Sequence, residues 1–241
     1  MITANKSANF EKWFFRYLKY YLIKRQFSTV MYEGDVDTTT ELPILYIANH
    51  SSWWDGLFLF YVTYVASDQE HFAMMDQNGL EKYPFFRKLG AFSVNRDKVK
   101  DLVKTFHYLY QLLDQGHRVW LFPQGNVTHQ DKLPYQLQSG LGRIIQRYPS
   151  LCLKPVTFHY YFAEEQKPKL HIEFGQEQLL QGADRKRKEW SAYLAQILTT
   201  QYEHQREKVS QSILYHRHPA AKHLITSSRS TSDWLDMWKG R

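Results

Sequence analysis

The order of apolar segments predicts an α/β protein, with a mixed, mainly parallel sheet flanked by helices and an N-terminal amphipathic helix suited to a membrane interface. Three observations lead there. Short runs rich in branched and aromatic residues alternate with longer runs of helical spacing. One such run, Ile44 to Ala48 after Pro43, ends in Asn49-His50, just before a long apolar segment. The third is that segment's length: residues 56–66 fall short of the roughly 20 that a membrane-spanning helix needs, so any membrane contact is expected to be peripheral.

Residues 1–9 are polar and read as a frayed lead-in. From residue 10 to 25, Phe10, Trp13, Phe14, Tyr17, Leu18, Tyr21 and Leu22 repeat at spacings of three and four, gathering one face of a helix. Lys12, Arg16 and Lys19 are interleaved with them. Two readings stay open for this face: packing on a core, or aromatics entering lipid while the cations meet head groups. The membrane reading rests on Lys12, Trp13, Phe14, Arg16 and Tyr17.

A strand is expected over residues 28–33, a polar loop over 35–41, the strand before His50, and a helix over 53–66. Ser51, Ser52 and Asp55 are its candidate caps. A strand over 72–75 and a short helix or irregular segment over 79–89 follow. Residues 90–94 read as a strand, and Leu102, Val103, Phe106, Leu109, Tyr110 and Leu113 mark a helix that stops at Gln115-Gly116. Residues 118–122 read as a strand closed by the turn Pro123-Gln124-Gly125-Asn126, and 140–148 as a short helix. A strand over 151–158, interrupted or edged by Pro155, another over 171–174 and a helix over 186–202 complete the pattern. Lys186-Arg187-Lys188 opens that last helix, against the dipole preference, so either solvent or an external anion holds the run there.

With no low-complexity linker, the 241 residues read as one principal domain over 28–205, with an N-terminal helical segment over 1–27 and a basic, polar tail over 206–241. The balance of 31 basic against 24 acidic residues favours an anionic partner. Aromatic content (7 Trp, 17 Tyr, 15 Phe), mixed with Lys and Arg near the N-terminus, favours a membrane lipid surface over nucleic acid. The single cysteine, Cys152, excludes an intrachain disulfide and reads as a small core residue. His216-x-His218 lacks the further ligands a metal site needs, so no metal is expected. Neither a Gly-x-Ser-x-Gly nucleophile elbow nor a phosphate-binding glycine loop is present.

His50 and Asp55 lie where a strand meets a helix, the region in which open α/β sheets bind ligands. Read blandly, this is ordinary loop and cap chemistry. Yet His50-x4-Asp55 resembles the H-x4-D signature of the glycerolipid acyltransferases, which transfer acyl chains to lysophosphatidic acid and related acceptors. The resemblance runs in order over residues 28–158. Gly90-x5-Arg96 resembles a second block, whose arginine is associated with the acceptor phosphate. Phe122, Pro123 and Gly125 match the Phe-Pro-Glu-Gly block, with Gln124 in place of glutamate and Asn126-Val127 where many relatives have Thr-Arg. Pro155-Val156 resembles a fourth, largely apolar block.

The resemblance implies His50 and Asp55 as the catalytic pair, and Asn49, Arg96, Phe122, Pro123, Gln124, Gly125 and Pro155 as substrate contacts. It implies acyl-CoA or acyl-carrier protein as acyl donor, no tightly bound cofactor, and a peripheral position on the cytoplasmic face of a membrane. A lysophospholipid is the leading acceptor. Gln124 and Asn126 suggest a glycosylated lipid as alternative, and a silent lipid-binding protein is the reading from another class. The chemistry suits the pair: an alcohol must lose its proton, and a carboxylate can fix the tautomer of the imidazole that takes it. Because five helical positions would separate their faces, His50 is expected in the turn before the helix, with its ring folded back to Asp55.

Overall fold

The computed structural model describes residues 1–214, 221–225 and 238. Its elements follow the expected alternation. Helix α1 (Ala8–Tyr17) continues through a π-turn, Leu18–Ile23, into a last α-turn, α2 (Lys24–Gln26). Then come β1 (Thr29–Glu33), β2 (Ile44–Ala48), α3 (Asp55–Ala66), β3 (His71–Asp76), α4 (Gln77–Lys82), a 3-10 turn over Pro84–Leu89, β4 (Ala91–Val94) and α5 (Val99–Asp114). The rest is β5 (Arg118–Leu121), α6 (Gly140–Ile145), β6 (Ser150–Tyr161), β7 (Lys169–Phe174), β8 (Gln178–Gln181), α7 (Arg187–Leu214) and β9 (Lys222–Ile225).

The sheet runs β4-β3-β5-β2-β6-β7-β1-β9, with β8 paired to β6. From β4 to β6 every pairing is parallel; β6 with β7 and β8, and β1 with β9, are antiparallel. The mainly parallel sheet is therefore as expected. Side chains of β2 alternate between two cores: Ile44, Tyr46 and Ala48 on the α1–α3 face, Leu45 and Ile47 on the α5–α6–α7 face.

Helix α3 is apolar around its circumference, with Leu57, Phe58, Leu59, Phe60, Tyr61 and Val62 all buried. One side packs on the sheet; α1 covers another, where Phe14 lies 5.7 Å from Phe60 and Phe15 4.6 Å from Tyr64 between ring centroids. Phe14 is only 5% exposed, which corrects its assignment to a lipid-facing set: its ring fills the gap between α3 and Phe85. Trp13 and Tyr17 remain 57% and 37% exposed on the other side of α1, beside exposed Lys12 and Arg16. Widening the next turn to i→i+5 brings Leu18 and Ile23 together into the core.

Residues 1–7 are not a frayed lead-in. Ile2 exchanges hydrogen bonds with Ser93 at 2.6 and 2.8 Å, and the Asn5 and Ser7 N–H groups donate to Arg87 and Lys88 carbonyls. At the other end, the expected boundary between 205 and 206 falls inside α7, and β9 adds a strand to β1. Polar composition there masked a helix buried on one stripe only, through Tyr202, Gln205 and Val209. His216 and His218 lie outside the described residues. Cys152 is buried, and burial raises its thiol pKa, in keeping with a core role.

Candidate active site

β2 ends at Ala48, and the next residue is used entirely as a brace. Asn49 is fully buried; its Oδ1 accepts the Phe158 N–H at 2.7 Å, while Nδ2 donates to the Phe158 carbonyl and to Ser51 Oγ, both at 3.0 Å. Both donor hydrogens and the carbonyl oxygen are engaged, so Asn49 ties β2 to β6 and does not contact substrate. This corrects the expectation for it.

His50 stands in the loop after β2, as expected, with its ring folded back. Its Nδ1 lies 2.8 Å from Asp55 Oδ2. Asp55 opens α3 and is fully buried, and the same oxygen accepts the Ser51 and Ser52 N–H groups at 2.7 and 2.9 Å. Its Oδ1 accepts the Tyr160 hydroxyl at 2.5 Å. Four donors converging on one carboxylate offset the cost of burying its charge. They also leave it acceptor-only, so Nδ1 carries the proton and Nε2 is left with its lone pair. Burial, and next the Asp55 charge, hold the Tyr160 pKa well above the usual tyrosine value, so this residue remains a donor.

The turn after β5 holds His50 from the other side. The Phe122 ring stacks on the imidazole, with centroids 4.5 Å apart and planes at 29°. Gln124 Oε1 accepts the His50 N–H at 2.6 Å, and Gln124 Nε2 donates to Thr128 Oγ1. The Thr128 N–H donates to the His50 carbonyl at 2.9 Å. Gln124 thus positions the histidine backbone, is buried and lines neither the cavity beside His50 nor its neighbour, which corrects its assignment as a substrate contact. Gly125 has φ of 81°, and a Cβ there would lie 2.6 Å from Arg96 Nη1, so glycine serves both the turn and the approach of the arginine.

Arg96, just beyond β4, donates through Nη2 to the Gly125 carbonyl at 2.8 Å and to Asn126 Oδ1 at 3.2 Å. It is exposed and lines the cavity that holds His50, a space of about 490 Å³. Leu59, Phe60, Met74, Phe86, Leu89 and Ala91 make most of that wall apolar, whereas Arg96 and Asn126 add polar groups. Among the described residues no hydrogen bond engages His50 Nε2, and the side chain is 24% exposed. Phe122 and Gly125 also line the cavity, and Pro123 lines a neighbouring one.

Pro155 is elsewhere. It pairs with Ile47 inside β6 and borders a shallow depression with Tyr193 and Gln201 on the α7 face. Its carbonyl accepts the Gly175 N–H at 2.8 Å, on the side where β6 changes partner between β8 and β7, so the N–H that proline lacks is not needed there. Strand parity sends it to the opposite face from the His50 cavity, and its expected substrate contact is corrected.

The residues that sequence reasoning missed are Tyr160, Thr128 and Trp53. Tyr160 reaches Asp55 because β6 runs parallel to β2 and two residues past Phe158, a register set across 105 positions of chain. Trp53, 49% exposed, borders the cavity beside His50.

Residues 29–159 match the model of the acyltransferase family, a span holding His50, Asp55, Arg96, the 122–125 turn and Tyr160's neighbour His159. Among solved structures, the chain is similar to the 1-acyl-sn-glycerophosphate (LPA) acyltransferase PlsC from Thermotoga maritima, with a TM-score of 0.52 and 16% identity over 81% of this chain and 77% of that one. At that identity the likeness is one of fold. No curated protein matches the chain.

Proposed function

Because the chain belongs to the acyltransferase family, we propose that it moves a fatty acyl group from acyl-CoA or acyl-carrier protein to the hydroxyl of a lysophospholipid such as 1-acylglycerol-3-phosphate. The observation that carries this reading is the His50 Nδ1–Asp55 contact of 2.8 Å beside an apolar cavity that also holds an arginine. The lipid chain occupies the apolar wall, and the Arg96 guanidinium offers its remaining N–H groups to the phosphate.

The step follows from the tautomer. His50 Nε2 takes the acceptor hydroxyl proton as the oxygen attacks the thioester carbonyl carbon. A C–O bond forms, the C–S bond breaks as the tetrahedral intermediate collapses, and the imidazolium returns its proton to the departing thiolate. Asp55 holds the ring and stabilises the imidazolium throughout. No enzyme nucleophile is needed. By residue type Gln124 and Asn126 suggest a glycosylated acceptor, but one is turned inward and the other accepts from Arg96, which favours the phosphate-bearing acceptor.

Thiol release from acyl-CoA, measured with lysophosphatidic acid and with a neutral glycolipid, tests this reading. Arg96→Ala is expected to raise KM for the phosphate-bearing acceptor roughly tenfold or more and to leave the neutral one little changed. Equal losses on both acceptors reject phosphate recognition by Arg96, and wild-type activity confined to the glycolipid transfers the reading to that acceptor.

The protein would reach its substrate as a peripheral membrane protein on the cytoplasmic face. No helix of the described residues is long and apolar enough to cross a membrane. Trp13, Tyr17 and Tyr21 stack along one stripe at 5.6 and 5.2 Å, and the Arg25 guanidinium lies 4.0 Å over Tyr21. Such an amphipathic, cationic stripe suits an anionic bilayer interface. Trp13→Ser with Tyr17→Ser is expected to cut co-sedimentation with anionic vesicles, and added salt to cut it further. Binding that ignores both changes removes the stripe from the interface.

A further inference from the structure

On the α5–α6 side of the sheet lies a second cavity, of about 420 Å³, next to the one that holds His50. Leu102, Phe106, Leu121, Leu141 and Ile144 form its apolar wall. Arg96, Arg143 and Arg187 also line it, and no Asp or Glu does. Arg143 lies over the Phe106 ring at 5.1 Å, and Arg187 Nε donates to Gln146 Oε1 at 3.2 Å. Among the described residues no carboxylate pairs with any of the three guanidiniums. Three exposed cations beside an apolar wall, with no acid to neutralise them, complement an anionic amphiphile.

The transfer proposed above joins two substrates at one histidine, and this inference rests on that reading. The two cavities share Met74, Arg96, Phe122 and Gly125, so ligands in them would meet beside the His50–Phe122 stack. The acceptor hydroxyl must reach His50, which lines only the first cavity. The donor needs only to present its thioester carbonyl at the shared wall. We infer that the second cavity holds the phosphopantetheine arm of the acyl donor, with its phosphate on Arg143 and Arg187. Gln138 and Ser139, on the same wall, offer partners to the amides of the arm. The basic run that opens α7 thereby has an external anion to meet.

The test is the double variant Arg143→Gln/Arg187→Gln, with far-UV circular dichroism as the folding control and Arg143→Lys/Arg187→Lys as the charge-keeping control. Equilibrium binding of phosphopantetheine and of coenzyme A is measured at low salt. KM is measured for acyl-CoA, acyl-carrier protein, phosphate-free acyl-pantetheine and lysophosphatidic acid. Binding of the phosphate-bearing probes is expected to weaken roughly tenfold or more in the glutamine variant and to recover in part with lysine. KM for the donor in use should rise alike, while acyl-pantetheine and lysophosphatidic acid are unaffected; whichever of acyl-CoA and acyl-carrier protein responds is the source of the arm. Unchanged binding in a folded glutamine variant overturns the inference, as does a rise in KM for the lysolipid instead of the donor. Arginine-dependent binding without any acyl transfer upholds this site and rejects the proposed reaction. Acyl transfer indifferent to both arginines does the reverse.

Discussion

His50→Ala is expected to lower acyl transfer about 100- to 10,000-fold, the usual worth of a positioned general base, while leaving the fold intact. The imidazole is partly exposed, and its loss leaves Asp55 three of its four donors, whereas the backbone of residue 50 is held by Gln124 and Thr128 whatever the side chain. Asp55→Ala should cost as much in rate but is not silent in stability. It strands the Ser51 and Ser52 N–H groups and the Tyr160 hydroxyl, at about 1–3 kcal/mol for each donor left buried without a partner. Single-turnover thiol release, read beside urea denaturation, separates the two effects. A folded His50→Ala protein with near-normal turnover would remove His50 from the chemistry, and an Asp55→Ala protein as stable as wild type would show that those donors find water.

The second large effect is acid lability, with three buried histidines as its source. Burial, and next the charges of Lys6 and Arg118, lower the His71 pKa to about 3. Burial lowers His159 to about 4; it does the same to His171, where Lys208 adds to it. The contacts agree for His71: the Trp120 indole N–H donates to Nδ1 at 2.9 Å, so the ring is neutral and its 3.8 Å approach to Asp37 is not an ion pair. In the unfolded chain each histidine titrates near its ordinary value of about 6.5. Below that pH the unfolded state takes up protons that the folded state refuses, so stability is fully present above it and falls as pH drops towards 4. At pH 5 each histidine then costs about 2 kcal/mol, and the three together are comparable to the whole stability of many domains. Urea midpoints between pH 7.5 and about pH 5 check this. His171→Gln should flatten the slope by about a third; a wild-type midpoint that stays level across the range would contradict the account.

What was legible in the sequence was local. His50 and Asp55 are five residues apart, and strand, turn and helix cap are all written within Ile44 to Asp55, so the folded-back ring followed from spacing, while the pairing itself came from the resemblance to the H-x4-D signature. The alternation of strands and helices likewise conveyed a mainly parallel sheet. Long-range register was not legible. Tyr160 on Asp55, Asn49 on Phe158 and Gln124 on the His50 backbone all depend on which strands become neighbours. Residue type misled where a polar side chain turned inward: Asn49 and Gln124 read as ligands for substrate and serve as struts. Phe14 misled in the opposite sense, because helical spacing places it on an apolar face without saying that α3 covers it.

The loop from Pro123 to Ser139 has no regular strand or helix among its residues, yet it sets the backbone of His50 from both sides. Its anchorage combines glutamine amides, Gln124 on His50, Gln130 on Tyr160 and Gln138 back onto the loop itself, with Tyr135, which is buried in the α5–α6–α7 core and donates its N–H to Thr199 Oγ1 at 3.0 Å. Each such amide bond is worth about 1 kcal/mol, whereas Tyr135, with Leu133 and Leu137 beside it, is buried in the core that closes one face of the sheet. The alignment of the imidazole is therefore tied to that distant core as much as to its own loop.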